Sequence, residues 1–252
     1  MKIRQGLQLL FSAASAIALV GVAGTPAVAA NRPTERETAR AVVTSDRVGG
    51  YIVQGGSQAH GVFVVPTLEC ATEDAAMLLG VVGFSAKGAL IGGAGVFASC
   101  VSGGPLYDLA SQEFDGEVRP MHLPVRSGDA VEVNYSWDPL SGHLQVEVKD
   151  LNRPRSAFDM YREDAFGRVG TVELGASRLG AGQPVNMPAF GRTTVRSVSV
   201  DDHRLAGKGV SRTTLVDVHG NRLVRASAPN HDGRRFDLVT PGRPSSMYTV
   251  SD

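Results

Sequence analysis

Aromatic residues are scarce in this 252-residue chain, at 6% with one tryptophan, Trp137. A sandwich that binds sugars stacks their rings on exposed aromatic platforms, so that function has little material here. An excess of one charge is also missing. Twenty-five Lys and Arg balance 25 Asp and Glu, which argues against electrostatic attraction to nucleic acid or anionic lipid. Cysteine is limited to Cys70 and Cys100, too few for a thiolate metal centre. His60, His122, His143, His203, His219 and His231 never fall in HxH or HExxH spacing, so no zinc site is written locally. Gly207-Lys208 is followed by Gly209 without the upstream glycine of a Walker loop, and no GxSxG occurs. A Ser-His-Asp triad assembled across strands has no supporting motif. The sequence therefore implies no cofactor and no metal.

The one long apolar stretch lies at the start. Lys2 and Arg4 precede the mostly apolar Leu9–Ala23, and Ala27-Val28-Ala29 or Val28-Ala29-Ala30 supplies small residues for cleavage. Ser12, Ser15 and Gly21 interrupt the stretch and Pro26 ends it, leaving it short of the roughly 20 residues of a membrane span. Residues 1–30 thus read as a secretory signal, and the mature protein is expected outside the cell and off the membrane. Without them the chain carries 23 basic against 25 acidic side chains, because Lys2 and Arg4 are the only charges removed. Residues 31–48 are polar and read as a flexible or briefly helical leader. Residues 49–242 have one composition throughout and read as one domain, with 243–252 as a tail. In an exported chain the two cysteines are expected to pair, and closing that loop contributes about 3–4 kcal/mol. Two buried thiols, or one reactive thiol, are the alternative.

Helical periodicity is absent after residue 30. Short runs rich in Val, Leu, Phe and Tyr recur instead between Gly, Pro, Asp and Asn, at 60–66, 77–84, 88–97, 129–137, 143–151, 192–200, 213–218 and 234–240. Val131–Tyr135 and Leu144–Val148 alternate strictly, as half-buried strands do, and the intervening Asp138–Gly142 predicts a hairpin turn. Asp201–Arg212 is polar and predicts a loop. Thirty glycines and thirteen prolines among so many short runs point to an all-β sandwich.

The central stretch resembles the glutamic peptidases, the eqolisins, in particular their bacterial secreted branch. The parallels keep chain order: Phe63-Val-Val-Pro66 with Cys70, Leu79–Gly83, Leu90–Val96 running to Cys100, Gly103–Gln112, Ser127-Gly-Asp129, Val169–Glu173, Met187–Gly191 and Asp232–Phe236. They span residues 50 to 240. The resemblance implies a concanavalin-like β-sandwich of two curved, seven-stranded antiparallel sheets, with the substrate cleft on a concave face. It also implies a Gln–Glu dyad on neighbouring strands, the Glu acting on water and the Gln amide stabilising the oxyanion.

Both dyad positions differ here. Gly93 stands at the Gln position and Gln112 at the Glu position. Glycine has no side chain to donate, and an amide cannot act as a general base. Val81 and Ala110 stand where the family carries Trp. Glu113 is the candidate substitute for the base, but strand alternation turns it to the face opposite Gln112 unless a bulge intervenes. Gly93, Tyr107, Ala110 and Phe114 are the candidate substrate-binding residues. These features imply a secreted, monomeric pseudopeptidase whose cleft binds polypeptide or a cell-envelope ligand. An acid endopeptidase using Glu113 and a carbohydrate-binding domain are the alternatives.

Overall fold

The computed structural model describes residues 42–71, 75–162, 169–179, 186–207 and 209–241. The signal segment, most of the leader and the tail lie outside them. Among the described residues the regular structure is strand throughout. In chain order these are β1 (Val42–Ser45), β2 (Val48–Gln54), β3 (Gln58–Val64), β4 (Ala76–Ser85), β5 (Leu90–Val101), β6 (Gly104–Gln112), β7 (Val118–Pro124) and β8 (Ala130–Asp138). They continue as β9 (His143–Asp150), β10 (Arg155–Arg162), β11 (Val169–Arg178), β12 (Arg192–Val200), β13 (Val210–Val216), β14 (Arg222–Ala226) and β15 (Phe236–Val239).

The strands hydrogen-bond in the order β10-β9-β8-β3-β12-β15-β14-β13-β2-β11-β4-β5-β6-β7. Neighbours along this path are antiparallel, and β1 adds to β13 in parallel. The ribbon doubles over, because β4 and β5 pack against β8, β5 and β6 against β9, and end strand β7 against end strand β10. It therefore forms two layers of seven strands, joined where β13 pairs with β14. Between them lies the main core, with Leu79, Val81, Val96 and Leu174 from one layer and Phe63, Val133, Tyr135 and Val146 from the other. The all-β sandwich expected from the strand pattern is present.

The β8–β9 hairpin follows its sequence pattern. Val131, Val133, Tyr135 and Trp137 are buried in alternation along β8. Asp138 accepts from the Leu140 N–H at 2.9 Å and the Ser141 hydroxyl at 2.6 Å, and Gly142 takes the left-handed φ of 68° that closes the turn. Cys70 and Cys100 form a disulfide with their Cα atoms 5.4 Å apart.

Ordered structure begins earlier than the leader reading allowed, since Val42–Ser45 is strand and β2 starts at Val48. β13 likewise starts at Val210, inside the stretch read as a loop. β7 also escapes a pattern-based reading, for it carries Pro120 and Pro124 and no clean alternation. Proline is tolerated there because β7 ends the path, with one edge unpaired.

Candidate functional site

On the outer face of the β2–β7 layer, two rows of residues cross the strands in register. In the first, Glu173 of β11 lies opposite Val82 of β4, Val82 opposite Gly93 of β5, Gly93 opposite Gln112 of β6, and Gln112 opposite Val118 of β7. In the second, two residues along each strand, Gly50, Gly175, Gly80, Gly95, Ala110 and Pro120 follow one another across six strands. Leu78, Val82, Ala110 and Leu179 form a small apolar cluster on this face, separate from the main core.

The second row is glycine on β2, β11, β4 and β5 because the backbones leave no room. A Cβ would stand 2.0 Å from the Leu174 carbonyl oxygen at Gly50, 2.1 Å from that of Ala94 at Gly80 and 2.3 Å from that of Leu79 at Gly95. Neighbouring strands approach too closely there for any larger residue. The result across β2, β11, β4 and β5 is a floor without side chains, bordered by the row that contains Glu173.

Gly93 and Gln112 face each other across the β5–β6 pair. Neither offers a side chain that can act as a base. A Cβ on Gly93 would sit 2.4 Å from the Val81 carbonyl oxygen, so the backbone has closed over the space a glutamine would need. Gln112 is buried, and its amide donates to the Gly116 carbonyl at 3.3 Å, within its own turn.

Glu113 points the other way. Ser111, one residue before Gln112, is fully buried and donates its hydroxyl to Asp159 of β10 at 3.0 Å. Glu113, one residue after it, also senses the charge of Asp159 and pairs with Arg119 at 2.6 Å. Burial raises its pKa and Arg119 partly offsets that. Strand alternation thus holds, and no bulge brings Glu113 to the side of Gly93. Three further residues also sit elsewhere. Tyr107 belongs to the main core, where its hydroxyl accepts the Leu68 N–H at 3.0 Å. Val81 is likewise in that core, and Phe114 stands half-exposed in the turn after β6. Of the four candidate substrate-binding residues, Gly93 and Ala110 lie on the face with the two rows.

The carboxylate on this face is Glu173, which sequence reasoning did not single out as a site residue. Its side chain is 1% exposed, and burial pushes its pKa up to about 7 against the lowering effect of Arg47. Arg47 comes from the turn between β1 and β2, with its guanidinium 3.0 Å from Glu173 Oε1 and 4.2 Å above the Phe84 ring. That contact is an ion pair without hydrogen-bond alignment, since neither Glu173 oxygen has a hydrogen-bond donor. A sequence signal for Glu173 did exist. Val172, Leu174 and Ala176 alternate toward the core, so Glu173 and Gly175 must face outward together.

A carboxyl group held near neutrality can exchange protons with water under mild conditions. The row supplies no side-chain amide at Gly93, two strands away from Glu173. Among the described residues, no three His, Cys, Asp or Glu side chains converge as a metal site.

Solved structures with the same architecture carry peptidase names. Scytalido-glutamic peptidase, solved with a transition state analog inhibitor, superposes with a TM-score of 0.63 over 79% of this chain and 100% of its own, at 12% identity. The fold is that of the glutamic peptidases. SCP-B, described as a member of the eqolisin family and solved with the tripeptide Ala-Ile-His, gives a TM-score of 0.53 at 12% identity, over 79% of this chain and all of its own. Aspergilloglutamic peptidase from Aspergillus niger gives 0.50 at 13% identity, over 74% and 99% of the two chains. No family model and no curated protein sequence matches the chain. The glutamic-peptidase fold is thus established by shape, at an identity too low to carry activity with it.

Proposed function

We propose that this protein is a secreted, non-catalytic counterpart of the glutamic peptidases, whose outer face over β11, β4, β5 and β6 binds polypeptide in extended form. The observation that carries this is Gly93, which has neither an oxyanion-stabilising side chain nor room for one beside the Val81 carbonyl. Loss of one such donor lowers turnover by about 10²–10³. The glycine floor supports the binding part, because a surface without side chains lets another backbone approach closely. Export is supported by the signal-like residues 1–30 and by the Cys70–Cys100 disulfide.

The test is hydrogen–deuterium exchange on the purified protein with and without a pool of peptides from a denatured protein. Protection is expected over residues 76–112 and 169–178, with the peptides recovered intact. Protection elsewhere, or none at any peptide concentration, overturns the binding part.

A second reading has one observation in its favour. Glu173 is a buried carboxyl group of raised pKa on the same face, the state suited to a general acid or base. In that reading the protein is an acid endopeptidase acting through Glu173. The form that relied on Glu113 loses its support, because that side chain lies on the opposite face and is held by Arg119.

A further inference from the structure

Away from the glycine-floored face, two turns bring three arginines together. Arg126 stands between β7 and β8, Arg153 in the connection from β9 to β10, and Arg155 at the start of β10. With Pro124 and Val125 they line an open pocket of about 380 Å³. Arg153 is fixed in place. Its Nη2 donates to Asp129 Oδ2 at 2.7 Å, its Nη1 donates to the Pro124 carbonyl at 3.3 Å, and Nη1 lies 3.7 Å from Asp150 Oδ2. The two carboxylates are buried and already engaged with backbone. Asp129 Oδ2 also accepts the Arg126 N–H at 2.7 Å, and Asp150 Oδ1 accepts the Asn152 N–H at 2.9 Å and the Arg153 N–H at 3.3 Å.

The side chains of Arg126 and Arg155 are left over. Both residues are exposed, and among the described residues neither has an ion pair. The chain as a whole is neutral, so this positive pocket is a local feature and not a sample of a basic surface. Three guanidinium groups against two carboxylates leave one net positive charge. Each free guanidinium offers a planar fork of N–H donors, the geometry that oxyanions accept.

We infer that this pocket binds a singly charged oxyanion: a carboxylate, a sulfate ester or a phosphodiester, free or borne on an acidic polymer. Arg153, braced by Asp129, orients the group, and Arg126 and Arg155 close on it from the two turns. The inference does not depend on the polypeptide-binding proposal, since it concerns other turns and other residues.

The test measures binding of inorganic sulfate, inorganic phosphate, dextran sulfate and uncharged dextran by calorimetry, for the native protein and for Arg126→Gln with Arg155→Gln. Dextran sulfate is expected to bind and dextran is not. The double variant is expected to lose about tenfold or more in affinity, the scale of removing two charge-assisted contacts, with an unchanged melting temperature. A second pair, Arg222→Gln with Arg225→Gln on β14, serves as the control for general basicity and is expected to bind as the native protein does. Inorganic ions binding with the same loss would support a pocket for an isolated anion. Binding of the polymer alone, with the same loss, would support a pocket that serves a chain of anions. Failure of every probe to bind, or equal losses in the two double variants, overturns the inference.

Discussion

Glu173 offers the sharpest physical test, because its burial makes folding depend on pH in a direction opposite to most carboxylates. Its pKa is pushed from an ordinary 4.5 up to about 7. Between those values the folded protein keeps the proton while the unfolded chain has lost it, so stability falls as pH rises through the window. Below the window there is no penalty, and above it the penalty is complete. The pKa difference corresponds to about 3 kcal/mol, with the partial compensation by Arg47 already included in it. Glu173→Gln removes the titration while keeping the shape. The variant should therefore gain on the native protein between about pH 4 and about pH 8, by up to roughly 3 kcal/mol. At about 2–4 °C per kcal/mol for a domain of this size, the melting-temperature gap should widen by several degrees. Thermal unfolding followed by circular dichroism at a series of pH values measures it. Arg47→Ala should move the transition to still higher pH, since the cation that favours the ionised form is gone. A gap that stays constant across the series would refute the reasoning and place Glu173 in contact with water.

Other expectations concern the floor, the closed dyad position and the bridge. Gly95→Ala puts a Cβ 2.3 Å from the Leu79 carbonyl oxygen and should cost about 1–3 kcal/mol in urea unfolding; an unchanged midpoint would show that the strands can part there. Gly93→Gln should destabilise by a similar amount and should not create proteolysis even when combined with Gln112→Glu, because the Val81 carbonyl stands in the way. Cleavage of a denatured substrate by that double variant would contradict the closed geometry. Reduction of Cys70–Cys100, separated by 30 residues, should lower stability by about 3–4 kcal/mol, measured by unfolding with and without reductant.

Much of the architecture was legible in local pattern. The alternation of Val131–Tyr135 and Leu144–Val148, with a turn-forming Asp138–Gly142 between them, predicts the hairpin seen. The opposition of Gly93 and Gln112 also follows from chain order, because β5 and β6 are consecutive strands joined by a tight turn. Glu173 was harder to place. It enters the row only because β11 inserts between β2 and β4, a long-range pairing that no local pattern encodes. Its ion-pair partner Arg47, stacked over Phe84, comes from another part of the chain. Tyr107 and Val81 went to the core because their register partners fix the pleat: Tyr107 lies opposite Ala98 and Val81 opposite Ala94, both core-facing. Motif position alone does not say which face a strand residue takes. β1 was lost for another reason, since four residues gain their strand character from pairing with β13 and not from their own pattern.

The central claim is that the outer face binds without cutting. The most direct measurement is digestion of a denatured protein by the purified protein, scanned from about pH 2 to about pH 8, where carboxylates and histidines titrate, with Glu173→Gln run alongside. The account predicts no cleavage by either protein at any pH. Cleavage by the native protein that disappears in Glu173→Gln would contradict it and establish Glu173 as the working carboxylate of an active acid peptidase.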